Sequence, residues 1–165
     1  MPFPPDFDPA VNPGVRTATI AIQGARIPLC DLPSTLLQTS PFRFVDAVTD
    51  LDLEEACITG TVAMESSSDR FYSTALFPSL LIEAFAQMSS LLLARVLKTR
   101  GGGLIASIER AVFASPPGAG EISLAVNLET ASAPHFTLKG IARHGGERIC
   151  EAHFAVRSRT GNGHD

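Results

Sequence analysis

The sequence predicts an α+β domain in which a curved antiparallel sheet wraps around one long central helix. Residues 79–98 form a run that is apolar on nearly every side and is followed by Gly101-Gly102-Gly103. A helix of that kind has to be buried on most of its faces. Four strand-like segments follow, at 104–113, 121–130, 135–143 and 148–157, with strong turn residues at Pro116-Pro117-Gly118 and Gly145-Gly146. Two more precede it, at 42–50 and 56–65, where Ile58, Gly60, Val62 and Met64 alternate with Thr59, Thr61 and Ala63. Hairpin-spaced strands around one apolar helix leave an antiparallel sheet as the means of covering it.

The elements can be justified in chain order. Residues 1–16 are rich in proline and read as an extended arm. Thr17 to Ile22 and Ala25 to Leu29 flank Gln23-Gly24, the pattern of a hairpin whose glycine supplies a positive φ. Residues 31–39 read as a short helix capped by Asp31, with Pro33 in its first turn. Residues 66–77, opened by three serines, read as a loop before the long helix, and the three glycines read as the stop after it. In the late strands Phe136 and Leu138 share one face while His135, Lys139 and Arg143 share the other. Likewise Cys150, Ala152, Phe154 and Val156 alternate with Glu151, His153 and Arg157, so His135 and His153 point to solvent. The expected organisation is an arm and hairpin over 1–30, one domain over 31–158 and a tail over 159–165.

Composition narrows the function classes. The chain has 165 residues, enough for a single core, and 45% apolar against 18% charged residues marks it as globular. A net charge of −4 without a basic stripe argues against a nucleic-acid partner. The three cysteines, Cys30, Cys57 and Cys150, have no metal-ligand spacing and suit reduced thiols. The start lacks the apolar core of a secretory signal. Glu83, Gln87, Ser89 and Ser90 interrupt the longest apolar run, so no membrane span is expected. A cytoplasmic protein without metal or cofactor is the expectation.

Within the helix, Phe77-Pro78-Ser79-Leu80-Leu81-Ile82-Glu83-Ala84-Phe85-Ala86-Gln87 carries a carboxylate and an amide four residues apart, hence on one face. A buried helix that keeps a glutamate must give it a hydrogen-bond partner, a charge partner or a chemical task. This run resembles the F-P-G-V-L-I-x-E-A-x-A-Q helix of the 3-hydroxyacyl-[acyl carrier protein] dehydratases, one residue shorter. Three other stretches resemble that family in the same order. They are Ser40-Pro41-Phe42-Arg43-Phe44-Val45-Asp46-Ala47-Val48, the stretch from Ile108 to Glu121 with Phe113 and Pro116-Pro117-Gly118, and Cys150-Glu151-Ala152-His153. The resemblance covers roughly residues 31 to 157 and implies the hotdog fold, an acyl-thioester substrate and a homodimer or higher homo-oligomer.

Carried over residue by residue, Glu83 matches the family's catalytic glutamate and Gln87 the glutamine one turn later. The family's second catalytic group, a histidine in a G-H-F-P-G loop, does not carry over. Its H-F-P-G falls on Arg70-Phe71-Tyr72-Ser73, and a shift of one residue places Asp69 or Phe71 there instead. An arginine has no acceptor and stays charged, so Arg70 cannot take a proton at neutral pH. The four histidines offer no replacement: His135 and His153 face outward, His144 sits at a turn and His164 in the tail. Glu83 can be a lone acid–base group, as in hotdog thioesterases that activate water, an ion-pair partner of Arg70, or a structural carboxylate bonded to Gln87.

The expected site is therefore Glu83 as the catalytic residue, lined by Arg70, Phe71, Tyr72, Ser73, Pro78, Ser79 and Gln87. Leu80, Phe85, Met88 and Leu92 read as core, part of which lines an acyl tunnel if the resemblance holds. Arg95, Lys98, Arg100 and Arg110 suit either a solvated helix end or docking of an acyl carrier protein or coenzyme A. The leading expectation is a divergent 3-hydroxyacyl-thioester dehydratase-like protein of fatty-acid or polyketide-type metabolism. An acyl thioesterase using Glu83 and a non-catalytic acyl-binding subunit are the alternatives.

Overall fold

The computed structural model describes residues 27–28, 44–64, 77–98, 103–114 and 119–158. The first hairpin arm, the short helix expected at 31–39 and the loop carrying Arg70, Phe71, Tyr72 and Ser73 lie outside them. The elements are β1 (Ile27–Pro28), β2 (Ala47–Asp52), β3 (Cys57–Met64), α1 (Phe77–Val96), β4 (Gly103–Phe113), β5 (Gly120–Ser132), β6 (His135–His144) and β7 (Glu147–Ser158). The strands form one antiparallel sheet of order β1-β2-β3-β5-β6-β7-β4. Strand β4, which follows the helix, thus crosses over to the sheet edge beside β7.

Local chemistry explains the turns. Between β2 and β3 the Asp52 Oδ1 accepts from the N–H groups of Glu54 at 2.8 Å and Glu55 at 3.0 Å, an Asx turn that leads into Ala56 at φ 47°. Between β6 and β7, Gly145 and Gly146 have φ of 57° and 86°, the paired positive values that a two-residue hairpin turn requires.

The period-2 reading of the late strands holds. Ile122, Leu124 and Val126 of β5, Phe136, Leu138 and Ala142 of β6, and Cys150, Ala152, Phe154 and Val156 of β7 are buried on the helix side. His135, Lys139, Glu151 and His153 occupy the outer face. The helix packs into the concave side through Leu81, Ala84, Phe85, Met88, Leu91 and Leu92. By length and a mean hydropathy of 1.4 it matches a membrane span, but 61% of that stretch is buried inside the sheet. Its apolar character is that of a core helix.

Two glycines set how closely helix and sheet approach. A methyl group at Gly140 would lie 2.7 Å from Cγ and Cδ2 of Phe85, whose ring stacks on Phe154 with centroids 6.3 Å apart. One at Gly60 would lie 2.6 Å from the Ala47 carbonyl and 3.0 Å from Cε of Met88.

The helix stop differs from the expected one. The helix ends at Val96, and Lys98 rather than a glycine adopts the left-handed conformation, at φ 52°, while its N–H donates to the Arg95 carbonyl at 3.3 Å. Gly103 already belongs to β4, where any Cβ would collide with Val156. That glycine serves strand packing and not the helix end.

Candidate functional site

The first turn of α1 places Pro78 half-buried and Ser79 exposed, one turn before Glu83. Pro78 is tolerated there because the first helical N–H groups have no intrahelical acceptor. Glu83 is half-buried, and Gln87, one turn further on, is only 1% exposed. The Gln87 Nε2 donates to Glu83 Oε1 at 3.1 Å, and the Gln87 Oε1 accepts from the Phe44 N–H at 2.9 Å. The predicted pair is therefore brought together as a hydrogen-bonded unit.

The segment 44–46 that supplies this N–H is itself fixed. Asp46 donates its N–H to the Thr61 carbonyl at 2.9 Å, and its Oδ2 accepts from Ala63 N–H at 2.7 Å. Both bonds tie the chain entering β2 to the middle of the sheet, so the Phe44 N–H reaches Gln87 from a rigid base. Sequence reasoning missed this donor because a main-chain N–H carries no residue signature.

Among the described residues, Glu83 is bonded by Gln87 and by no histidine. His135 and His153 lie on the outer face, and His144 packs against Gly120 beside the β6–β7 turn. Phe85, Met88 and Leu92 are fully enclosed, as expected of core residues, and Leu80 is half-buried. No cluster of metal-ligating side chains occurs among the described residues.

The outer face holds a charged network that lies apart from this helix face. Lys139 is 3.5 Å from Glu151 Oε1, Arg148 pairs with Glu151 Oε2, and the His153 ring nitrogens lie 3.4 Å from Glu129 and 3.5 Å from Glu151. Burial alone would raise the Glu151 carboxyl, but Lys139, the His153 hydrogen bond and Arg148 outweigh it and hold the group below the usual carboxylate range. Beside this network Arg110, Val112, Phe113, Arg148 and Ile149 line a cleft of about 230 Å³ that includes the docking candidate Arg110 but none of the residues expected around Glu83.

The described cysteines are free thiols. Cys57 donates to Asn127 Oδ1 at 3.2 Å, and burial, reinforced by Asp52, Asp50 and Glu55, raises its pKa. Burial, with Glu151 adding to it, pushes Cys150 up to about 12. Neither has the electropositive surroundings that make a thiol a nucleophile.

The sequence matches no protein-family model and no curated protein. Solved structures do resemble the fold. A phenylacetic acid degradation-related protein from Ralstonia eutropha, with a provisional thioesterase name, has a TM-score of 0.56 at 15% identity over 67% of this chain and 82% of its own. A Streptococcus mutans protein bound to acetyl-CoA has a TM-score of 0.56 at 12% identity over 75% of this chain and 95% of its own. A hypothetical thioesterase with coenzyme A from Streptococcus pneumoniae has a TM-score of 0.52 at 13% identity over 64% and 80%. At these identities the likeness concerns architecture, and the chain has the hotdog fold: an α+β domain with its long helix wrapped by a curved antiparallel sheet.

Proposed function

We propose that the protein is an acyl-thioester hydrolase of hotdog architecture, with Glu83 as general base. The observation that carries this reading is a half-buried carboxylate on the central helix, oriented by Gln87, with no histidine beside it among the described residues. Dehydration needs a base for the C2 proton and an acid for the C3 hydroxyl, whereas hydrolysis needs one group to activate water. In hydrolysis, Glu83 takes a proton from water as its oxygen attacks the thioester carbonyl. The C–S bond then breaks, and the thiolate leaves with that proton, yielding carboxylic acid and thiol. Backbone N–H groups would hold the oxyanion. Structural neighbours named with coenzyme A and acetyl-CoA support a coenzyme A thioester ahead of an acyl carrier protein.

The test is release of free thiol and acid from acetyl-, hexanoyl- and phenylacetyl-CoA. Glu83→Gln should lower turnover by about 10²–10⁴-fold with the circular dichroism spectrum unchanged. Wild-type inactivity on all acyl groups, or full activity in the variant, would overturn the reading. Tight acyl-CoA binding without turnover would leave the non-catalytic acyl-binding subunit in its place.

The reading includes a homodimer. Strand β4 ends the sheet, and its Leu104, Ile108 and Val112 are 57%, 47% and 51% exposed. A long apolar edge strand is a template for pairing, and a second copy laid antiparallel along β4 would cover both edges at once. Sedimentation equilibrium at micromolar concentration should give the dimer mass, and Ile108→Lys with Val112→Lys should shift it to monomer. A wild-type monomer would count against this assembly.

A further inference from the structure

We propose that Gln87 is a positioning residue that transmits the fixed direction of a main-chain N–H, that of Phe44, to the Glu83 carboxylate. The inference rests on the hydrolase reading of Glu83 and adds the device that aims it.

A primary amide has one acceptor atom and one donor group, and which of them faces a given neighbour is normally an open choice. Here the choice is made by chemistry. The Phe44 N–H can only donate, so the amide oxygen must face it, which it does at 2.9 Å. With the oxygen committed, the NH₂ group must point the other way, where it donates to Glu83 Oε1 at 3.1 Å. The reverse orientation would set two donors against each other and leave a buried N–H unsatisfied. Because Gln87 is 1% exposed, water is poorly placed to substitute for either bond.

The direction originates in the sheet. Asp46 holds segment 44–46 to β3 through Thr61 and Ala63 at 2.9 and 2.7 Å, so Phe44 cannot swing without breaking ladder-adjacent bonds. The carboxylate is thus held by one oxygen. Among the described residues its second oxygen, Oε2, has no hydrogen-bond partner and is the atom placed to meet water.

Two substitutions separate positioning from mere stability. Gln87→Glu keeps an acceptor for the Phe44 N–H but replaces the donor that faces Glu83 with a carboxylate. Gln87→Met keeps the volume and removes both functions. Both should lower kcat by about 10- to 100-fold with KM changed less than about threefold, as expected for a misaimed base. Phe44 amide exchange should stay slow in Gln87→Glu and become fast in Gln87→Met, and the Tm should fall more in the latter. In Gln87→Met the acid limb of the pH–rate profile should move up, because the hydrogen bond that favours the ionised Glu83 carboxylate is lost and no new charge is added.

An amide with a structural role alone would change Tm and exchange but leave that limb in place, and this result would overturn the proposal. Carbon-13 titration of the Glu83 carboxyl, assigned with Glu83→Gln, reads the same effect without turnover. If wild-type hydrolysis is absent, the hydrolase reading falls by itself. An upward move of the titration midpoint in Gln87→Met would then still support the Gln87 linkage, and an unmoved midpoint would overturn it.

Discussion

Gly140→Ala should destabilise the fold by about 1–3 kcal/mol, a cost typical of overpacking a filled core. The added methyl would sit 2.7 Å from two ring carbons of Phe85 and 2.9 Å from a third, so it meets the ring face and not a flexible chain end. Phe85 cannot retreat, since it is fully enclosed and stacked on Phe154 at an interplanar angle of 12°. Phe85→Ala should cost about 3–5 kcal/mol through the cavity it leaves. The diagnostic case is the pair. Phe85→Leu removes the ring that Gly140→Ala strikes, so the double variant should lose less than the sum of its parts by about 0.5–3 kcal/mol. Urea denaturation at constant m-value measures all four states. Simple additivity would show that Gly140 is not held small by Phe85. Gln87→Ala, which orphans the Phe44 N–H and leaves a smaller void, should fall below Phe85→Ala in cost.

Dehydration of 3-hydroxyacyl thioesters should be absent or about 10²–10⁴-fold below that of a histidine-containing enzyme of the resembling family, the usual effect of losing a positioned acid–base group. Three of the four histidines are placed. His135 and His153 face outward from the sheet, and the two ring nitrogens of His153 are engaged with Glu129 and Glu151. His144 stands at the β6–β7 turn against Gly120. None bonds Glu83. Arg70→His is the direct test: it should create hydration activity on enoyl thioesters that Glu83→Gln then removes. Dehydratase activity in the wild type at the level of a histidine-containing enzyme would mean that another group supplies the second proton transfer.

How much of this was legible in the sequence depends on where the information resides. The strands β5, β6 and β7 were readable because each has one buried face and side chains alternate strictly, as in Cys150, Ala152, Phe154 and Val156. The helix was readable because its apolar residues leave no polar face except the Glu83–Gln87 stripe. Its end was misplaced by two residues, since a lysine in the left-handed conformation gives no sequence signal while Gly103, which does, answers to Val156. Of the site, the Glu83–Gln87 pair follows from helical spacing alone. The Phe44 N–H does not, because its meeting with Gln87 joins positions 43 residues apart in sequence. Phe85, Met88 and Leu92 were legible as core because apolar residues at helical spacing on a helix enclosed by a sheet have nowhere else to go.

The bond between Phe44 and Gln87 has an asymmetry that bears on how this helix face can evolve. One partner is main chain, and nineteen of the twenty amino acids supply the same N–H, proline being the exception. Mutational drift at position 44 can therefore exchange the side chain for others that still pack against the core while the donor persists. The other partner exists only as a particular side chain, and any substitution there that lacks an oxygen at that reach abolishes the contact. Selection on the arrangement should thus fall almost wholly on position 87. In a library of variants scored for function, tolerance at 44 beside intolerance at 87 would be the genetic imprint of a backbone-to-side-chain bond.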